Sequence, residues 1–176
     1  MRQSAAGSGI PEQKRASTGI AGLDDVLGGG LPAHHLYLVE GTPGAGKTTL
    51  GLQFLRKGVE TGEKGLYITL SETASELQTV AQSHGWSLDG VEIFQLVADE
   101  GLSPGSEQSI LHPSEMELGE TTRGIMAATE RVKPSRVVFD SLSEMRLLAQ
   151  NPLRYRRQVL ALKSFFATRQ CTVLML

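Results

Sequence analysis

The chain of 176 residues has a single cysteine, little net charge and no long apolar run. One cysteine, Cys171, excludes an intrachain disulfide and a zinc ribbon, and it is compatible with a reducing compartment. A net charge of −2 gives no overall field that would attract nucleic acid or an anionic membrane. No run of residues reaches the length of a membrane span, and residues 1–9 lack the apolar core of a secretory signal. The composition therefore predicts a cytoplasmic protein without a membrane partner.

What the sequence does contain fits one globular domain. Hydrophobic residues make up 40% of the chain and charged residues 20%, as in ordinary soluble domains, and the length suits a single core. Residues 1–16 are small and polar, which is typical of a flexible tail. We therefore expect the folded domain over residues 17–176.

Alternating apolar runs and helical patterns predict an α/β fold, with a mostly parallel sheet sandwiched by helices. The predicted strands are residues 36–40, 65–70, 91–97, 136–140 and 171–176. The predicted helices are residues 20–27, 48–56, 71–84, 114–133 and 152–169, and residues 99–113 are predicted to form a loop. The last strand is strongly apolar and ends the sequence, so we expect the domain to be truncated there.

The most informative segment is Gly41–Thr48 (GTPGAGKT), which fits the phosphate-binding P-loop pattern G-x-x-x-x-G-K-[ST]. A predicted strand precedes it and a predicted helix follows, so backbone N–H groups and the helix dipole converge on one point. A chance match in a chain of this length has a frequency well under about one per cent. We predict that ATP or ADP binds here, in contact with Thr42, Pro43, Gly44, Ala45, Gly46, Lys47, Thr48 and Thr49.

Each residue type in this loop has its own task. Gly44, Ala45 and Gly46 are small enough to let the backbone approach the phosphates. Lys47 supplies a positive charge to the β- and γ-phosphates, which makes it a candidate catalytic residue. The Thr48 hydroxyl is placed to coordinate Mg²⁺, and Thr49 is placed to donate to the α-phosphate.

Asp140 is the expected second contact to the metal. It ends the apolar run Val137–Phe139, at the carboxyl end of a strand, where open α/β sheets bind their ligands. Many strands end in aspartate simply because it is a good turn residue. A position about 90 residues after a P-loop favours the metal role.

Hydrolysis also needs a base that orients the attacking water. The position directly after Asp140 holds Ser141, with Glu144 three residues further on, so we look to the neighbouring strand. Glu72 follows the predicted strand 65–70 and is the candidate catalytic base. The alternative is that Glu72 complements the dipole in the first turn of the next helix, as Glu76 would.

Several segments resemble the KaiC-like ATPases of the RecA superfamily. They are Ser17–Pro32 (STGIAGLDDVLGGGLP), the P-loop, Gly62–Glu72, Arg136–Leu142 and Leu153–Leu176. The resemblance implies a RecA-like core in which the final strand lies between the P-loop strand and the Asp140 strand. It implies a ring homo-oligomer, often a hexamer, with nucleotide at the subunit interface and with a signalling-protein partner, and it allows autokinase activity. It also implies that Trp86 lies near the nucleotide base, although a half-buried packing role is equally supported.

Two departures from the family pattern bear on activity. Paired glutamates often follow the second strand in the family, and the first of them matches Ser71, so that only Glu72 remains. If the first position holds the base, hydrolysis is slow, and we hypothesise that Ser71→Glu raises turnover in the complete protein. Family domains also continue well beyond Leu176, with basic residues that reach a neighbour's phosphates.

Three functions agree with these residues. The first is a KaiC-like ATPase that couples Mg²⁺-dependent hydrolysis to ring conformation or partner signalling, and the second is a nucleotide-binding switch with little hydrolysis. A RecA- or RadA-type DNA recombinase ranks third, because the sequence has no zinc knuckle and no aromatic–basic loop. The basic residues before the last strand favour a solvated face first, a subunit contact second and a single-stranded nucleic-acid site third; they are Arg154, Arg156, Arg157, Lys163 and Arg169.

Overall fold

This computed structural model of the protein describes residues 13–96 and 113–176. The strands in that part are β1 (Arg15–Ala16), β2 (Leu31–Pro32), β3 (Leu36–Leu38), β4 (Gly65–Thr69), β5 (Val91–Gln95), β6 (Arg136–Asp140) and β7 (Thr172–Met175). The helices are α1 (Ala21–Val26), α2 (Lys47–Glu60), α3 (Ala74–Ser83), α4 (Pro113–Val132), α5 (Leu142–Ala149) and α6 (Pro152–Thr168). Strands and helices alternate, which confirms the predicted α/β class.

Five of the strands form one parallel sheet in the order β3-β7-β6-β4-β5. β7 lies between β3 and β6, the position that the resemblance implied for the final strand. Thr69 at the end of β4 pairs in register with Asp140 at the end of β6. Because all five strands run the same way, the segments that follow β3, β4 and β6 meet at one edge of the sheet, where ligands bind in folds of this kind.

Helices cover both faces of this sheet. Along β6, Val137 and Phe139 pack into the apolar cluster formed with α4, α5 and α6. Val138 faces the opposite way, into the cluster formed with α2 and α3. This alternation is the period of two expected of a strand, and every residue of β6 is buried because both faces are covered. None of the helices in the described ranges is both long and apolar enough to cross a membrane.

Two glycines allow α2 to pack directly against β6. Gly51 and Gly58 are seven residues apart and therefore share one face of the helix. A Cβ atom on Gly51 would lie 3.0 Å from Val138, and one on Gly58 would lie 2.5 Å from the Cδ atom of Arg136. The close approach of helix and sheet thus depends on the missing side chains.

The Arg136 side chain beneath Gly58 is buried, only 3% exposed, and forms an ion pair. Its guanidinium donates to the Glu63 carboxylate (2.5 Å) and to the carbonyl oxygens of Ser17 (2.6 Å) and Phe54 (2.9 Å). Burial alone would raise the pKa of Glu63, but the bond and charge of Arg136, and then those of Lys14, outweigh it and lower that pKa. This carboxylate therefore contributes stability at neutral pH that is lost as the pH falls below about 4.5.

We expect Gly58→Ala to destabilise the protein, although glycine-to-alanine changes inside helices usually stabilise. The new methyl group would displace the Arg136 guanidinium, at a cost of about 1–3 kcal/mol typical of overpacking. Gly119→Ala on α4 is the matched control, because a Cβ there meets nothing within 4 Å. It should stabilise by about 0.4–1 kcal/mol. Urea unfolding followed by circular dichroism measures both, and a Gly58→Ala protein as stable as the wild type would contradict this account.

The segment before α1 differs from the predicted tail. Residues 1–12 lie outside the described ones, but Arg15 and Ala16 form β1 and pair antiparallel with β2. Ala16 is buried, and a Cβ on Gly30 (φ 120°) would lie 2.5 Å from the Ala16 carbonyl oxygen. Strands of two residues are too short to show a periodic pattern, so the sequence did not indicate this antiparallel pair.

Two helices also differ from the prediction. α3 begins at Ala74, three residues later than predicted, and α5 occupies residues for which no helix was predicted. The signal for α5 was available, since Ser141 precedes it and Glu144 stands three residues on, which is the spacing of a capping box. The predicted loop over residues 99–113 and the end of the predicted strand at Val97 lie outside the described residues, apart from Pro113, which begins α4.

Candidate functional site

The P-loop connects β3 to α2 at the ligand-binding edge of the sheet. Gly44 (φ 79°) and Gly46 (φ 84°) both adopt the left-handed conformation, and Gly46 is the N-cap of α2. A Cβ on either glycine would meet nothing within 4 Å, so the backbone conformation and not crowding requires glycine there. The first N–H groups of α2 have no intrahelical acceptor and face the loop, which makes this an anion-binding turn.

Lys47 lies at the first position of α2, with its ammonium group over the loop. Its Nζ atom donates to the carbonyl oxygens of Gly41 (2.8 Å) and Thr42 (3.2 Å). The Ala45 amide, one of the predicted phosphate donors, donates to the Thr42 carbonyl oxygen at 3.1 Å. Pro43 is exposed within the loop, and Thr49 is half-buried in the first turn of α2. The predicted phosphate-binding residues therefore run from an exposed loop into the half-buried first turn of α2.

Asp140 and Thr48 come together across the sheet edge, as the metal prediction requires. The Thr48 hydroxyl lies 3.4 Å from Asp140 Oδ2, a long and weak contact. Asp140 is only 8% exposed. Its Oδ2 atom also accepts a short hydrogen bond of 2.6 Å from the Tyr67 hydroxyl, which the sequence did not indicate. Burial, followed by the charge of Asp140, raises the pKa of Tyr67, so the hydroxyl remains a donor.

Glu72 is held directly after β4 by the side chain of Thr69. The Thr69 hydroxyl donates to the Glu72 carbonyl oxygen (2.8 Å) and accepts from the Glu72 amide (2.9 Å). Among the buried side-chain oxygen and nitrogen atoms of the described residues, Glu72 Oε2 is the one without a hydrogen-bond partner. A buried carboxylate oxygen without a partner is costly and is characteristic of functional sites.

The environment of Glu72 favours its protonated form. Burial raises the pKa of Glu72, and the negative charges of Asp140 and Glu76 raise it further. A carboxylate whose pKa moves toward neutrality is a better general base than an ordinary surface glutamate. The raised pKa is compatible with the predicted role of Glu72 as a base.

A different residue, Glu76, holds the position in the first turn of α3 that the helix-dipole alternative gave to Glu72. Thr73 caps α3 in a capping box: its hydroxyl accepts from the Glu76 amide (3.2 Å), and its amide donates to the Glu76 carboxylate (2.7 Å). Glu76 is therefore the acid in the first turn of α3. Glu72 precedes the cap and lies outside that helix, whereas Ser71 is exposed.

Trp86 packs against the apolar cluster formed with α2 and α3. Its ring stacks on His84, with centroids 4.6 Å apart, and the Arg56 guanidinium lies 4.9 Å from the Trp86 centroid. Arg56 stands nine residues after Lys47 on α2, about 13 Å further along the helix axis. These contacts account for Trp86 as a packing residue, and its proximity to a nucleotide base stays a prediction.

The residues at this edge supply oxygen ligands for a metal but no complete cage. Within residues 13–96 and 118–176 there is no group of three or more His, Cys, Asp or Glu side chains that could hold a metal ion. Thr48 and Asp140 offer two oxygens on the same side of the P-loop. Such a partial set suits Mg²⁺, which usually keeps several waters and takes its other ligands from substrate phosphates.

The chain is similar to known proteins in both sequence and structure. A family model described as ATPase: KaiC matches residues 16–176. A UPF0273 protein of Pyrococcus horikoshii is 32% identical over 166 residues, which are 90% of this chain and 66% of that protein. The circadian clock oscillator protein KaiC of Prochlorococcus marinus is 33% identical over 143 residues, which are 80% of this chain and 28% of that protein.

A crystal structure of a KaiC-like protein from Pyrococcus horikoshii has a TM-score of 0.76 to this structure at 27% sequence identity. The match covers 93% of this chain and 71% of that one. The chain thus spans about two thirds of the length of the UPF0273 relative and a smaller share of the clock protein.

Proposed function

The chain belongs to the KaiC family of ATPases, and on that premise we propose that it binds Mg·ATP at the P-loop and hydrolyses it. The observation that carries the proposal is the meeting of three features at one sheet edge. These are the P-loop with Lys47, the Thr48–Asp140 oxygen pair at 3.4 Å, and the buried, unpartnered oxygen of Glu72. ATP hydrolysis needs these three elements, namely charge neutralisation, a metal site and a base.

Binding would use the loop and Lys47. The N–H groups at the start of α2 would hold the phosphates, and the Lys47 ammonium would exchange its carbonyl partners for the β- and γ-phosphate oxygens. Thr49 would donate to the α-phosphate from the next position. Both ATP and ADP fit this description, since the loop recognises the phosphates that they share.

Thr48 and Asp140 would hold Mg²⁺, because both are oxygen donors and they lie together beside the loop. When bound, the ion supplies charge neutralisation on the β- and γ-phosphates. The burial of Asp140 keeps its carboxylate in a less polar setting, where attraction to a cation is stronger than in water.

Glu72 would act as the general base. It would accept a proton from the attacking water while the water oxygen bonds to the γ-phosphorus and the bond from that phosphorus to the β,γ-bridging oxygen breaks. The electron pair leaves with ADP, and inorganic phosphate is the second product. The raised pKa makes Glu72 a stronger base than an ordinary surface glutamate.

We further propose that hydrolysis is coupled to a ring homo-oligomer and to a signalling partner. A cytoplasmic location and the autokinase alternative complete the proposal. The ring, the partner and the autokinase alternative rest on the family relationship, and the location rests on the composition of the sequence. Analytical ultracentrifugation of the full-length protein with and without Mg·ATP tests the ring, and a monomer under both conditions would contradict it.

The experiment for the proposed activity combines two measurements on the full-length protein. Isothermal titration with Mg·ATP tests binding, and single-turnover hydrolysis of radiolabelled ATP tests the chemical step. Binding and turnover together support the ATPase. A crystal in which an ATP analogue and metal bind away from Gly41–Thr48 would overturn the proposal.

A nucleotide-dependent switch with little hydrolysis is the second candidate, favoured by Ser71, which provides no carboxylate where relatives often have one. Ser71→Glu separates the two candidates in the single-turnover assay. If Glu72 is the base, Ser71→Glu changes the rate little, because position 71 is exposed and Glu72 already holds the buried place. A gain approaching the ~10²-fold that a positioned base supplies would assign the impaired position to Ser71 and support the switch.

A further inference from the structure

Tyr67 lies in the interior between the sheet and α2, with no exposed surface. Its hydroxyl donates to Asp140 Oδ2 at 2.6 Å, and the Thr48 hydroxyl approaches the same oxygen from the P-loop side at 3.4 Å. One carboxylate oxygen is thus shared between a buried phenol and the threonine expected to bind metal. The Thr48 side chain also makes a hydrogen bond with the phenol itself, so Tyr67, Thr48 and Asp140 form one cluster.

The register of the sheet creates this contact. Tyr67 pairs with Val138, and Asp140 lies two residues further along β6, on the same face as Val138. The phenol therefore extends along the strand direction to reach the end of β6. A phenylalanine would fill the same volume but would leave Asp140 Oδ2 with only the longer contact to Thr48.

We propose that Tyr67 is a positioning residue for the metal site, holding the Asp140 carboxylate in the orientation that serves a divalent cation beside Thr48. This inference rests on the proposed function of Thr48 and Asp140. The terminal torsion of an aspartate is broad, so its carboxylate plane is poorly fixed unless one oxygen has a short hydrogen bond. Outer-shell partners of metal-binding carboxylates characteristically act in this way.

The test is Tyr67→Phe in the full-length protein, with Mn²⁺ as the probe ion and ADP as the nucleotide. Electron paramagnetic resonance measures Mn²⁺ affinity in the presence of ADP, and isothermal titration in EDTA measures ADP affinity without metal. We expect Mn²⁺ affinity to fall about 10–100-fold, the usual effect of losing an outer-shell partner. Metal-free ADP affinity should stay within about twofold, because the hydrogen bonds of the Lys47 ammonium and the Ala45 amide within the loop do not involve the phenol.

Tyr37→Phe is the matched control. The Tyr37 hydroxyl also donates one short hydrogen bond, to the Pro32 carbonyl oxygen at 2.7 Å, but on β3 and away from Asp140. Neither affinity should change in this variant. A loss of Mn²⁺ affinity in both variants would show that it follows from a general weakening of the fold, and would overturn the inference.

The outcomes separate this inference from the proposed function. If the wild-type protein binds ADP but its affinity for Mn²⁺ is unaffected by Asp140→Ala, the metal assignment itself is wrong. If Asp140→Ala weakens Mn²⁺ binding and Tyr67→Phe does not, only the positioning role is wrong. A Tyr67→Phe protein that has lost ADP affinity in EDTA as well would also contradict the inference, because the hydroxyl would then support the fold and not the metal.

Discussion

Glu72→Gln is expected to bind Mg·ATP as the wild type does and to hydrolyse it about 10²–10⁴-fold more slowly, the contribution of a positioned general base. Glutamine has nearly the same shape and keeps the backbone bonds to Thr69, but it cannot accept a proton from water. Single-turnover hydrolysis of radiolabelled ATP measures the loss, and isothermal titration measures binding. Normal turnover in Glu72→Gln would remove Glu72 from the mechanism.

Glu76→Gln is the control for this variant. Glu76 is the next carboxylate in the same segment, and its role in the capping box is one that glutamine also performs. Its charge contributes to the raised pKa of Glu72, so a small change in rate is expected and a large one is not. Comparable losses in both variants would indicate that the local structure, and not proton transfer, was impaired.

Glu72→Gln should also raise the thermal stability of the nucleotide-free protein. The folded-state pKa of Glu72 lies above the ordinary value of 4.5, so its ionised form destabilises the fold as the pH rises through that folded-state pKa. Glutamine removes this cost. We expect the melting temperature of Glu72→Gln to exceed that of the wild type at pH 8 and the difference to shrink as the pH falls toward 4.5. An equal or lower melting temperature at pH 8 would contradict the burial of an unpaired charge.

The contrast between Lys47 and Tyr67 explains which parts of the site were predictable. The P-loop is a local pattern, and the strand, turn and helix around it are each visible within a few residues of sequence. Tyr67 belongs to a strand that is buried on both faces, so its sequence shows no alternation that would indicate which way the phenol points. Its partner Asp140 lies 73 positions away. Only the parallel register of β4 and β6 brings the two together.

Thr69 and the start of α3 illustrate a different kind of limit. The hydroxyl of Thr69 closes a turn onto Glu72, and the capping box at Thr73 begins the helix after that turn. The predicted helix start was placed at Ser71, because serine and glutamate are common at the beginnings of helices. Competing side-chain bonds to the backbone decided the boundary, and with it the position of Glu72 beside the sheet edge.

Lys47→Ala should abolish detectable nucleotide binding while leaving the fold intact. The ammonium would form charge-assisted bonds with two phosphates, each worth about 1.5–3 kcal/mol, so affinity should fall roughly 10²–10⁴-fold. The fold should not depend on Lys47, because its ammonium partners among the described residues are the carbonyl oxygens of Gly41 and Thr42 in the exposed loop. Alanine is also the best residue for a helical position.

Lys57→Ala provides the matched control for Lys47→Ala. Lys57 lies on the same helix and has an ion pair of 3.1 Å with Glu60, but it stands ten residues beyond Lys47, about 15 Å along the axis. Isothermal titration with Mg·ATP should show wild-type affinity for Lys57→Ala and none for Lys47→Ala, with both proteins giving native circular dichroism spectra. Tight binding retained by Lys47→Ala would mean that the phosphates lie elsewhere. The assignments of Thr48, Asp140 and Glu72 would then fail with it, because each depends on a γ-phosphate placed by this loop.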